Sequence, residues 1–139
     1  MRWKRERLCI YSSPVDANTC WHWILDWRPN PLYTALSYGA VSIEADVWLY
    51  ENQLYIGHHR EALSVDRTFK SLYIDPLLDV LKKMNPPSKF GEYSAINGIW
   101  DTASSQTTYL FVDVKTEGIE TWKAVLREIE PLWVVRILD

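Results

Sequence analysis

The sequence predicts an α/β protein with a largely parallel sheet, and three observations carry that prediction. Strand-like runs rich in β-branched and aromatic residues occur at 40–50, 54–56 and 107–115. Between and after them lie two amphipathic stretches, with Leu77, Val80, Leu81 and Met84 in one and Trp122, Val125, Leu126 and Ile129 in the other. Both recur at helical spacing. The resulting order of strand, helix, strand, helix and strand is that of chains whose strands run parallel with crossover helices.

The elements follow in order. Leu8 to Tyr11 reads as a short strand closed by Ser13-Pro14. Pro31 suits the first turn of a helix running to about Tyr38, and Gly39 is a natural stop. Ala40 to Tyr50 is the best strand of the chain. A polar break at Glu51-Asn52-Gln53 separates it from Leu54-Tyr55-Ile56, with which it can pair as a hairpin ending at Gly57. Within Thr68 to Met84 a helix is expected to start at Asp75-Pro76 and to stop at Asn85-Pro86-Pro87. Residues 85–106 read as a long loop. Thr107 to Lys115 is a strand and Gly118 to Ile129 a helix that Pro131 should end, after which Leu132 to Leu138 reads as a further strand.

At 139 residues and 47% apolar composition the chain fits one domain with a sizeable core. We divide it into a weakly patterned basic segment, 1–20, and a domain over 21–139. The formal charge of −3 gives no general attraction to nucleic acid. The short basic run Arg2, Lys4, Arg5 and Arg7 reads as a solvated terminus or as a weak targeting signal. No apolar run approaches the roughly 18 residues of a membrane span. Two cysteines without CxxC spacing read as reduced thiols, which implies an intracellular setting. Eight tryptophans are unusual for this length: they read as core, or, where Trp21, Trp23 and Trp27 crowd His22, as the lining of a pocket or an exposed patch.

Strand side chains alternate between faces, so Glu44 and Asp46 point the same way, about 7 Å apart along the strand. Asp113 and Lys115 likewise share a face. His58 follows Gly57 directly after a strand. In parallel α/β folds ligands gather beyond the C-terminal strand ends, and each of these residues is expected in the second half of its strand or just past it. Three carboxylates supply the hard oxygen donors that Mg²⁺ or Ca²⁺ prefers, with waters to complete the shell. Histidine would then transfer protons and Lys115 would offset charge on a phosphoryl oxygen. A plainer reading stands beside this one: Glu44 and Asp46 at a wet edge, and Asp113 and Lys115 as a strand-end ion pair. His59 reads as solvated or packed, and Arg60 and Lys89 as surface cations or phosphate contacts.

Several runs together resemble a known family: Arg28 to Tyr38, Ile43 to Tyr50, Leu54 to His58 with Arg60, Arg67 to Tyr73, and Leu110 to Thr116. Glu-Ala-Asp-Val-Trp-Leu, Gly-His and Asp-Val-Lys-Thr in this order are similar to the fungal altered-inheritance-of-mitochondria protein 6 family. That family belongs to the PLC-like phosphodiesterases, related to the glycerophosphodiester phosphodiesterases. The resemblance implies a (β/α)₈ barrel of the TIM type, Mg²⁺ on Glu44, Asp46 and Asp113, and a catalytic His58 with site lysine Lys115. It also implies a second histidine, for which His22 is the candidate. Here the chain departs from the family, because the Asn-Asp partners of that histidine are missing and His22 stands about one residue out of register.

A full barrel takes about 250 residues. This chain is therefore expected to form a partial barrel, roughly the N-terminal half, with exposed edges through which copies could self-associate. The implied function is phosphoric diester hydrolysis on a small phosphodiester or lysophospholipid-like substrate in lipid metabolism. The alternative is an inactive fragment that acts by association or binding. A mitochondrial association follows only from the family's name.

Overall fold

The computed structural model describes residues 20–21, 27–87 and 97–134. The strand expected at 8–11 and the basic terminal run lie outside the described residues. The elements in order are β1 (Cys20–Trp21), α1 (Pro31–Ser37), β2 (Ser42–Tyr50), β3 (Gln53–Ile56), α2 (Asp75–Met84), β4 (Tyr109–Val114) and α3 (Gly118–Val134). A 3₁₀ turn at Arg60–Ala62 and a π turn at Lys70–Ile74 lie between β3 and α2. The chain is mixed α/β, as its alternating pattern predicts.

Local sequence explains the first half. Pro31 opens α1, where its missing N–H is no loss. Gly39, at φ +75°, closes it: the Gly39 and Ala40 amides donate back to the Leu36 and Ala35 carbonyls. This is a Schellman ending, and it needs the left-handed backbone that glycine adopts without strain. Glu51 and Asn52 both take positive φ, 47° and 68°, and form a two-residue hairpin turn whose twist matches the flanking strands.

β2 organises the sheet. β4 pairs with it in parallel along one edge, from Ser42↔Tyr109 to Val47↔Val114. The other edge is shared, with β1 parallel at Ser42 and Ile43 and β3 antiparallel from Val47 to Tyr50. One face of the sheet carries Ile43, Ala45 and Val47 of β2 with Leu54 and Ile56 of β3, all fully buried. They pack with Leu32 and Ala35 of α1, Phe69, Tyr73, Ile74 and Leu77 around α2, and Ala124 and Val125 of α3. Each large side chain buried there stabilises the fold by about 1.5–3 kcal/mol. The opposite face holds Glu44, Asp46 and Trp48 on β2 and Tyr109, Phe111 and Asp113 on β4.

The α-helix starts at Asp75 with Pro76 in its first turn, as expected, and a π turn at Lys70–Ile74 runs straight into it. Pro76 has no N–H to offer the Leu72 carbonyl and its ring crowds that oxygen, and the wider turn relieves the conflict. Two expectations need correction. Pro131 fails to end α3, which continues to Val134. Leu132 still packs against the core from that last turn, and burial there outweighs the lost hydrogen bond. Thus 132–134 are helical, not a strand, and 135–138 lie outside the described residues. Finally, Glu44 and Asp46 do not occupy the second half of their strand, because the hairpin extends β2 beyond its parallel pairing with β4.

Candidate metal and acid–base site

The register of the parallel pair places Asp46 beside Asp113 and Glu44 beside Phe111. Residues paired in this way project from the same face. As a result, one ligand oxygen from each of Glu44, Asp46 and Asp113 lies within 4.8 Å of the other two. Asp46 is buried at 3% exposure, while Glu44 and Asp113 are half-buried.

Like charges paired across a sheet destabilise it, and burial raises the cost. Lys115 answers this. Its ammonium lies 2.5 Å from Asp113 Oδ2 and 3.2 Å from Asp46 Oδ1. Burial opposes the charge on Lys115, but the Asp113 hydrogen bond and the two carboxylate charges outweigh it and hold its pKa above the ordinary lysine value. Lys115 is therefore a cation throughout the neutral range. It is fixed from behind: its amide donates to the Val47 carbonyl at 2.9 Å. The Thr116 hydroxyl oxygen accepts the Leu49 amide at 2.9 Å and bonds the fully buried Thr121 hydroxyl at 2.8 Å.

His58 arrives from the other edge. Because β3 is antiparallel and ends opposite Val47, the next residue, Gly57, falls level with Asp46 and donates its amide to the Asp46 carbonyl at 3.3 Å. The His58 ring then meets Asp46 Oδ2 through Nδ1 at 2.8 Å. An ionised carboxylate only accepts, so Nδ1 carries the hydrogen and a neutral ring presents its lone pair at Nε2. The ring is 44% exposed and can reach a solvent-borne molecule.

Of the sequence-predicted residues, the fold brings together Glu44, Asp46, His58, Asp113 and Lys115. His22 and Lys89 lie outside the described residues. His59 is exposed, edge-on to the His58 ring at 4.5 Å. Arg60 lies over the Tyr50 ring at 5.5 Å. Sequence reasoning missed Thr121. The available signal was a hydroxyl within the apolar stripe that buries Ala124 and Val125.

The donor chemistry fits one hard cation. Opposite oxygens around Mg²⁺ stand roughly 4.2 Å apart and around Ca²⁺ roughly 5 Å, from bond lengths of about 2.1 and 2.5 Å. The three ligand oxygens lie within 4.8 Å of one another, a bound inside the trans distance for Ca²⁺ and above that for Mg²⁺, which would draw them closer. Each carboxylate oxygen can also accept from two directions, so the bonds from Lys115 and His58 leave Asp46 with acceptor capacity.

An α/β sheet that gathers three acids, a lysine and a histidine on one face defines the class of site, and the comparisons with known proteins define the family. The family model of the AIM6-like phosphodiesterase domain matches residues 12–138, and the chain belongs to this family. It is 47% identical over 112 residues to the altered inheritance of mitochondria protein 6 homolog of Arthroderma benhamiae, covering 76% of this chain and 36% of that protein. The altered inheritance of mitochondria protein 6 of Lachancea thermotolerans is 36% identical over 106 residues, which cover 74% of this chain and 24% of that one. For that of Eremothecium gossypii the identity is 37% over 111 residues, or 76% and 28%. The chain thus spans between a quarter and about a third of the length of these relatives. No solved structure matches it. No helix among the described residues is long and apolar enough to cross a membrane.

Proposed function

We propose that this chain carries the metal-binding and proton-transfer part of a phosphodiesterase active site of the PLC-like type. The observation that carries the proposal is the convergence of Glu44, Asp46 and Asp113 with His58 and Lys115 on one face of the sheet. Glu44, Asp46 and Asp113 would hold Mg²⁺, with Ca²⁺ the less favoured ion. When bound, the ion supplies Lewis-acid polarisation of a phosphoryl oxygen. Asp46 orients the His58 imidazole, and His58 exchanges a proton at Nε2 with the attacking or leaving oxygen. Lys115 stays protonated and stabilises negative charge that develops on the phosphoryl group. His22 is the proposed second proton carrier.

The substrate class is a small phosphodiester or a lysophospholipid-like molecule, which places the reaction in lipid metabolism. A partial TIM-type barrel is the architecture we assign. It is supported by the parallel β1–β2 and β2–β4 pairs, which enclose α1 and α2 as crossover helices. The names of the relatives motivate a mitochondrial connection.

A second reading has its own observation. Tyr109 and Phe111 are 57% and 54% exposed beside the site. On that reading the chain is catalytically silent and acts by association through this aromatic face. Calorimetric titration with Mg²⁺ and turnover of bis-p-nitrophenyl phosphate separate the two. The phosphodiesterase reading expects stoichiometric binding that Asp46→Ala and Asp113→Ala abolish, with Mg²⁺-dependent turnover. Folded protein with a flat titration and no turnover would overturn it.

A further inference from the structure

Trp48 lies on the site face of β2, two residues beyond Asp46, with no assigned role. Its indole Nε1 donates to the Gly57 carbonyl at 2.7 Å. That carbonyl belongs to the peptide that leads into His58. The Gly57–His58 unit is thereby held three times from one strand: Asp46 carbonyl to the Gly57 amide, Asp46 Oδ2 to the His58 ring, and the Trp48 indole to the Gly57 carbonyl. The segment has little slack, since a Cβ on Gly57 would lie 3.0 Å from Leu63 Cδ2 and 3.3 Å from the His59 carbonyl. The indole is braced in turn. It stacks on Tyr50 at 6.4 Å and 14°, and Arg60 covers the Tyr50 ring.

We infer that Trp48 is a positioning residue for His58, acting through the Gly57 carbonyl. The plane of the 57–58 peptide fixes the direction in which the His58 side chain leaves the backbone. The bond to Asp46 alone would leave that plane to rotate. Short, part-buried N–H donation of this kind holds a group at its working geometry, and misplacement by about 1 Å can cost on the order of 100-fold in rate. The inference rests on the phosphodiesterase reading for its kinetic consequence and on geometry alone for its structural one.

The experiment removes the donor and keeps the ring. Trp48 is replaced by Phe and, to preserve packing, by the benzothienyl isostere of tryptophan, in which sulfur stands for N–H. Three-bond NMR couplings report the His58 χ1 angle. One rotamer is expected in the parent chain and averaging in both variants, with Mg²⁺ affinity at the carboxylates changed by less than about twofold. Where bis-p-nitrophenyl phosphate is turned over, kcat should fall roughly 10- to 100-fold with little change in KM. On a His58→Ala background the same replacement should then have no further effect. An unchanged χ1 distribution in a folded isostere variant, or an undiminished rate loss on the His58→Ala background, would overturn the inference. Absence of turnover in the parent chain would instead count against the phosphodiesterase reading, and χ1 would still decide the role of Trp48.

Discussion

Asp46 and Asp113 are direct partners across the parallel β2–β4 pair, and the Lys115 ammonium clasps an oxygen of each. The pairing concentrates negative charge in the centre of a sheet, where it is tolerated only with a cation between the two acids. Much of the behaviour of the site follows from this one contact.

Lys115→Met should destabilise the chain by about 1–3 kcal/mol. That is less than the loss for a fully buried pair, because Asp113 keeps water on one side. Thermal unfolding with and without a divalent cation checks the cause. Mg²⁺ should restore more of the melting temperature in the variant than it adds to the parent. Equal shifts in both would mean that the acids do not repel one another.

The same contact sets an alkaline limit. The folded pKa of Lys115 is raised, so its stabilising contribution is complete below the unfolded lysine value near 10.4 and is lost as pH rises through the higher folded value. Urea midpoints of the parent, relative to Lys115→Met, should hold a constant gap from pH 6 to about 9 and converge only at strongly alkaline pH. A gap that closes below pH 9 contradicts the clasp.

Glu128 also holds its proton more tightly in the fold, but here the protonated form is the neutral one. Its Oε2 is buried and has no hydrogen-bond partner among the described residues. Burial is the main reason its carboxyl pKa is raised, against the lowering influence of Lys70 and Arg127. A raised acid binds its proton more tightly in the fold, so stability falls as pH rises from the unfolded glutamate value near 4.3 through the folded one. Glu128→Gln should remove this slope and raise the melting temperature at pH 7 by about 2 °C. A decrease at pH 7 would show that the Gln53 amide on Oε1 and the nearby Lys70 and Arg127 charges outweigh the burial.

Thr116 and Thr121 pin the end of β2 to the start of α3. Thr116→Val leaves the part-buried Leu49 amide without its acceptor and should cost about 1–2 kcal/mol in denaturant unfolding. Thr116→Ser keeps the hydroxyl and should recover most of the loss. Equal losses for Val and Ser would assign the effect to methyl packing, not to the hydrogen bond.

The sequence was legible wherever a local period or a local backbone demand was at work. Alternation placed Glu44 with Asp46, and Asp113 with Lys115, before any pairing was known. Pro31 and Gly39 marked both ends of α1. The helical turn before Pro76 and the helix beyond Pro131 went unread for the same reason. A proline lowers the local preference for helix, but Ile74 and Leu77 on one side and Leu132 on the other are held by core contacts that no local signal records.

By itself, then, the chain determined its α/β class, the identity of the five gathered site residues and, through its motifs, its family. Tertiary structure decided that these residues meet. A slip of one residue between β2 and β4 would turn Asp113 and Lys115 away from Asp46, and pairing over more than sixty residues of intervening chain has no local signature. The same holds for His58, which reaches Asp46 because β3 runs antiparallel and brings Gly57 level with it. Side-chain alternation is a property of one strand. Convergence is a property of how strands are registered, and burial across the whole sheet selects that register.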